Sequence, residues 1–92
     1  MGTIVKISLN SVKVTVAYLG QAREAAGTKE DAFELSSPAN IELAFSRAIK
    51  THPELEAIKK NIRLLLNGQW ASDNAELKDG DRITLLPPSG GG

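Results

Sequence analysis

The sequence predicts an α+β fold in which one main helix lies across a mixed sheet of about four to five strands. Three observations predict it. Val12, Val14, Val16 and Tyr18 alternate with Lys13, Thr15 and Ala17, the two-residue period of a half-buried strand. Ile41, Ala44, Phe45, Ala48 and Ile49 instead recur at the spacing of one helical face, giving a single apolar stripe. Between and after these stretches stand Asn67-Gly68 and Asp79-Gly80, two strong tight-turn signals.

Each element follows in order. Residues 4–9 (Ile-Val-Lys-Ile-Ser-Leu) read either as an added strand, with Asn10-Ser11 as its turn, or as a loose leader. Gly20 breaks the strand of residues 12–18. A short helical turn then runs over residues 21–26, closed by Gly27 as a C-terminal cap. Residues 31–35 alternate again and form the second strand. Asn40 is suited to cap the main helix, Glu42 favours its positive first turn, and Pro53 ends it near Thr51. Residues 55–58 form a turn or a further helical piece. The third strand covers residues 62–66, Gln69-Trp70 follow the Asn-Gly turn, and residues 82–86 form the last strand. Phe33 and Phe45 are expected in the core. The organisation is therefore an N-terminal extension over residues 1–11, a domain over 12–86 and a flexible tail over 87–92.

Composition narrows the function. The 92 residues carry 11 Lys/Arg against 11 Asp/Glu, without a block of either sign, so a basic nucleic-acid footprint is not expected. No apolar run approaches the roughly 20 residues of a membrane span, and a cytoplasmic protein is expected. Cysteine is absent, which excludes disulfides, thiolate metal sites and cysteine nucleophiles. The single histidine, His52, falls at a helix end and is expected to be a solvated residue favoured by the helix dipole. Neither a phosphate-cradling glycine loop nor a metal-ligand cluster is present, so no bound cofactor, metal or catalytic side chain is expected. Chemistry, if any, is expected to be done to this chain by others.

The last six residues are Pro87-Pro88-Ser89-Gly90-Gly91-Gly92. Glycines cannot pack, whereas two prolines stiffen a chain in an extended form. From Pro87 to Gly92 the extended reach is about 20 Å at ~3.3–3.6 Å per residue. Such a segment suits a terminus shaped to enter a narrow site.

Taken with the strand into Gly20-Gln21-Ala22-Arg23-Glu24, Gly27, the Asn67-Gly68 turn and Leu77-Lys78-Asp79-Gly80-Asp81, this tail resembles a known family. The chain is similar to the small subunit of molybdopterin synthase (MoaD) and its relatives, the thiamine sulfur carrier ThiS and the small archaeal ubiquitin-like modifiers. The resemblance covers about residues 12–92, and residues 1–11 exceed the usual family start. The short helix after the first strand and the Pro-Pro pair favour the MoaD branch.

The resemblance implies a β-grasp, ubiquitin-like roll. It implies that Gly91 and Gly92 form the reactive terminus. A ubiquitin-activator-like enzyme would adenylate the Gly92 carboxylate with ATP, and sulfur would then replace AMP to leave a thiocarboxylate. Partners implied are that enzyme and the molybdopterin synthase large subunit, with Leu19, Trp70, Leu86, Pro87 and Pro88 as the contact surface. Trp70 is alternatively a cap on the edge of the core, and Leu86 a core residue. A second reading is a protein modifier that joins Gly92 to target-protein lysines, with Lys59 and Lys60 as acceptors on the chain itself. A third is a domain of the same fold that is never activated. Arg23 matches a family arginine and is expected to make a surface ion pair.

Overall fold

A computed structural model describes residues 10–72 and 74–87. The extension through residue 9 and the tail beyond Pro87, including Pro88, Gly91 and Gly92, lie outside the described residues. The chain runs β1 (Ser11–Tyr18), α1 (Gly20–Ala26), β2 (Glu30–Ser36), α2 (Ile41–Thr51), a 3-10 segment (Pro53–Asn61), β3 (Arg63–Leu66), β4 (Gln69–Trp70) and β5 (Arg82–Leu86).

The five strands form one sheet in the order β2-β1-β5-β3-β4. β1 pairs antiparallel with β2 and parallel with β5, and β5 pairs antiparallel with β3, so the sheet is mixed. Parallel neighbours require a long crossover, and the whole chain between residues 18 and 82 serves as that connection. The expected architecture is the observed one, with five strands.

Local chemistry sets the element ends. Asn40 Oδ1 accepts from the Leu43 amide at 2.9 Å, the side-chain cap that starts α2. Gly27 adopts φ 75° and donates its amide to the Arg23 carbonyl at 2.8 Å, closing α1. Asn67 and Gly68 both take positive φ, 52° and 84°, as a two-residue hairpin turn between β3 and β4 requires. The Asn67 carboxamide also accepts from the Arg82 amide and donates to Asp81 Oδ1, each at 2.9 Å, fastening that turn to the start of β5.

The core lies between α2 and one face of the sheet. Val14, Val16 and Tyr18 of β1 meet Ile83 and Leu85 of β5, and Ile41, Ala44 and Ala48 of α2 lie over them. Alanines on the helix allow close approach to the valines below. Burying side chains of this kind stabilises by about 1.5–3 kcal/mol for each Val, Leu or Ile. Phe33 and Phe45 pack at the margin of this core and are half-buried. The Arg47 guanidinium lies 5.5 Å from the Phe33 ring centre, covering a face that the core does not.

His52 departs from the sequence expectation. It is not a solvated end residue: its Nε2 lies 2.6 Å from Asp31 Oδ2, and its ring meets the Tyr18 ring edge-on at 5.5 Å. Asp31 Oδ2 also accepts the Tyr18 hydroxyl at 2.8 Å. Three residues distant in sequence thus join β1, β2 and the C-terminus of α2. The reason is desolvation: Tyr18 is fully buried, and its hydroxyl must find an acceptor at the core boundary. Arg23 also departs from expectation, since its Nε donates to the Tyr18 carbonyl at 3.2 Å rather than pairing with a carboxylate.

Burial, and then the bond to the Asp31 carboxylate, raise the Tyr18 hydroxyl pKa well above its ordinary value. The neutral phenol is therefore favoured in the fold. Its contribution is complete below the unfolded value of about 10 and is lost as pH rises beyond it. Thermal melts across that range should show the wild type losing stability with pH more steeply than Tyr18→Phe. At neutral pH the same substitution should cost about 1.5–3 kcal/mol, the worth of one hydrogen bond to a charged acceptor.

Candidate functional site

The site is the end of the sheet at which β1 and β5 stop together. Tyr18 pairs with Leu85, and the Leu19 amide donates to the Leu85 carbonyl at 3.3 Å. Leu19 and Gly20 therefore run abreast of Leu86 and Pro87. Gly20 takes φ +51° to turn the chain into α1, and a Cβ built on it would lie 3.0 Å from Pro87 Cγ. Its lack of a side chain is used twice, for the left-handed turn and for the approach of the tail base. The sequence reading took Gly20 as a strand breaker and as part of the family pattern, not as a contact of Pro87.

Cross-strand partners share a face of the sheet. The register aligns Ala17, Thr84, Leu65 and Trp70 in one row across β1, β5, β3 and β4, on the face away from α2. Leu86 lies opposite Arg63 on that face. Trp70 is 67% exposed, so it does not cap the core. The Arg63 guanidinium sits 5.8 Å from its ring centre, a cation over the π-face. Leu86 is half-buried, as are Leu19 and Pro87. A shallow concavity of about 500 Å³ joins Trp70 and Arg63 to Leu86, Pro87, Lys60 and Ile62.

Of the predicted contact residues, Trp70, Leu86 and Pro87 line this one concavity, while Leu19 flanks the exit on the other side. Pro88, Gly91 and Gly92 fall outside the described residues. Arg63 was not singled out from sequence, and Lys60 was named there only as an isopeptide acceptor. Arg63 was open to detection: an Asn-Gly turn fixes Leu65 opposite Trp70, and Arg63 shares the face of Leu65 by the two-residue period. Among the described residues neither Lys60 nor Arg63 has a carboxylate partner. This end of the molecule thus presents an apolar surface with two cations beside a departing chain.

Comparison with known proteins identifies the family. The ThiS family model matches residues 16–92. The chain belongs to the ThiS family. Within it, the chain is 35% identical over 83 residues to the molybdopterin synthase sulfur carrier subunit of Chlamydomonas reinhardtii, covering 88% of this chain and 100% of that one. Among solved structures, the small archaeal modifier protein 1 of Methanosarcina acetivorans is 27% identical with a TM-score of 0.76, over 89% of this chain and 98% of that one. The fold also matches a chain in the complex of subunits 1 and 2 of molybdopterin-converting factor from Helicobacter pylori. That match has 23% identity and a TM-score of 0.65, over 88% of this chain and 100% of that chain. The ThiS-family assignment places the ubiquitin-like β-grasp architecture and the sequence resemblance on the same residues.

The two positive-φ glycines that bracket α1 separate two costs. Gly27 has open space where a Cβ would stand, so Gly27→Ala should cost about 1 kcal/mol, the left-handed penalty alone. Gly20→Ala adds the Pro87 collision and should cost more, about 2 kcal/mol or above. Urea unfolding of the two variants checks the difference.

Proposed function

We propose that this chain is a sulfur carrier, the small non-catalytic subunit that supplies sulfur in molybdopterin biosynthesis. The observation that carries the reading is the 35% identity to a molybdopterin synthase sulfur carrier subunit over that protein's entire length. The geometry supports it, since β5 delivers Pro87 at the rim of an exposed apolar face.

The chemistry acts on Gly92. A carboxylate with a pKa near ~3.5 is a stable anion at neutral pH and a poor acyl donor. A carboxylate oxygen attacks the α-phosphorus of ATP within a ubiquitin-activator-like enzyme, and pyrophosphate leaves. A sulfur nucleophile supplied by that system then displaces AMP, giving the thiocarboxylate. ATP belongs to the activating enzyme, and the carrier itself holds no cofactor. Gly91 and Gly92 give each active site a backbone without Cβ atoms to obstruct it.

The same exit then serves the acceptor. Trp70, Leu86 and Pro87, with Leu19 beside them, would contact the larger synthase subunit. Pro88 would hold the tail extended between the two. Arg63 and Lys60 favour a partner surface with acidic groups around its tail port. Among the described residues no helix is long and apolar enough to cross a membrane. We place this work in the cytoplasm, where ATP and the activating enzyme would be met.

The likeness to a small archaeal modifier protein favours a second reading. Activated Gly92 would then acylate target lysines, with AMP as the leaving group. Lys59 and Lys60 are exposed, and Lys59 has only a 3.8 Å surface pairing with Glu56.

Intact mass spectrometry separates these readings. After incubation with ATP, a sulfide source and native lysate, a carrier should gain the mass of one oxygen-for-sulfur exchange at Gly92. Lysine conjugates without that species would favour the modifier, and an unchanged mass an inert domain. Deleting Gly92 should abolish the exchange while leaving the melting temperature within about 1 °C, since the core ends at Leu85. Trp70→Ala should weaken association with the larger subunit by about 2 kcal/mol, as loss of an aromatic anchor does.

A further inference from the structure

A second concavity, of about 710 Å³, runs between α2 and the edge of the sheet. Glu42, Phe45, Ser46 and Ile49 recur at the spacing of one side of a helix, so the groove follows α2 along its length. From Asn40 to Ile49 that wall rises about 13–14 Å at 1.5 Å per residue. Ile62, Leu64 and Trp70 form the other side. Phe45, Ile49, Ile62 and Leu64 are half-buried, which leaves an apolar floor within reach of a partner. Leu43 and Trp70, 42% and 67% exposed, are the large exposed hydrophobics among the described residues, and both line this groove. Their exposure along one groove marks an interaction surface.

Charge gives the groove a direction. At the Asn40 end the chain itself closes in: the Ile41 amide donates to the Ala75 carbonyl at 2.9 Å, and the Leu77 amide to the Ala39 carbonyl at 2.8 Å. Glu42 stands at that end, and Glu76 bridges to Asn40 there. The opposite end is basic. His52, just past α2, packs on Tyr18 at the end of β1, and Arg63 lies opposite Leu86 at the end of β5. Because β1 and β5 stop together, Arg63 stands at the C-terminal end of α2, and Lys59 and Lys60 precede it on the 3-10 segment. The lining residues thus include three cations against one carboxylate. Among the described residues Lys60 and Arg63 have no carboxylate partner, and Lys59 has only its 3.8 Å surface contact with Glu56.

The edge of the sheet narrows the form of the occupant. β4 is two residues long, too short a ladder for a strand to be added to it. An occupant is therefore held by its side chains, as a helix is when it lays an apolar face in a groove.

We propose that this groove docks a short amphipathic helix of a partner protein, with acidic residues at one end. Its apolar face meets Leu43, Phe45, Ile49 and Trp70, and its acidic end meets Lys59, Lys60 and Arg63. About nine residues of helix match the wall. The inference does not rest on the sulfur-carrier reading. Leu43 and Lys59 line this groove and not the concavity at the tail exit, whereas Leu86 lines the latter alone.

The probe is a displayed library of random dodecapeptides selected on the full-length protein, with the selected sequences then made as free peptides. They should carry large apolar residues three or four apart and Asp or Glu at one end. Trp70, the single tryptophan, reports their binding by fluorescence. Leu43→Asp falls at an exposed position in the first turn of α2, where an acid suits the helix. It should weaken the peptides about tenfold, and Lys59→Glu about fivefold. Leu86→Ala should change their affinity less than about twofold, since it touches only the other concavity. Raising salt should weaken binding several-fold, as exposed charge pairs are screened. Leu43→Asp should keep the oxygen-for-sulfur mass exchange of the wild type, so loss of the groove and loss of the carrier role are read separately. Failure to enrich any sequence, or enrichment without acidic residues, would overturn the proposal. So would binding that survives Leu43→Asp but not Leu86→Ala, which would place the peptides at the tail exit. A species of doubled mass that Leu43→Asp dissociates would overturn it too, by assigning the groove to a second copy.

Discussion

The parallel pairing of β1 with β5 is the constraint on which the rest of this structure depends. It places two strands some seventy residues apart in sequence at the centre of one sheet. Everything between them must return the chain across the sheet, and α2 is the part of that return which covers the core. Parallel neighbours also point the same way, so both strands stop at one end. β1 turns into α1 through Gly20 there, and β5 ends beside it with Pro87 against Gly20. The exit is a consequence of strand direction.

Two faces of the sheet therefore do different work. The face under α2 is closed by valines, leucines and the small residues that let a helix approach. Its opposite carries the row from Ala17 to Trp70, with Arg63 over the indole. Because Trp70 lies on a two-residue edge strand, it borders both the open face and the groove beside α2. A protein of this size has few large side chains to spend on exposure, so a tryptophan at such a boundary is informative about partners.

The Tyr18, Asp31 and His52 cluster shows how a buried polar atom organises its surroundings. A tyrosine placed inward for its ring carries a hydroxyl that water no longer reaches. Asp31 supplies the acceptor, and His52 shares that carboxylate from the end of α2. The result fixes where the helix stops relative to the two strands below it. Leaving that hydroxyl unpaired would carry the full desolvation cost, larger than the net worth of the bond itself.

Sequence alone determined the elements and their order, because the periods of two and 3.6 residues, the Asn40 cap and the Asn-Gly turn act over short distances. It also determined the family, through the turns and the Pro-Pro-x-x-Gly-Gly tail taken together. The contact set Leu19, Trp70, Leu86, Pro87 and Pro88 came from the resemblance alone, and of it Trp70, Leu86 and Pro87 line one concavity. What only the tertiary structure decided were relations between distant residues: His52 with Asp31, Arg23 with the Tyr18 carbonyl, Gly20 against Pro87. Phe45 moved from core to margin because Ala44 and Ala48 occupy the buried face of α2, and Phe33 because it lies on β2, an edge strand. Periodicity says which side of an element is apolar. How deep that side lies depends on what packs against it, and no local pattern carries that distance.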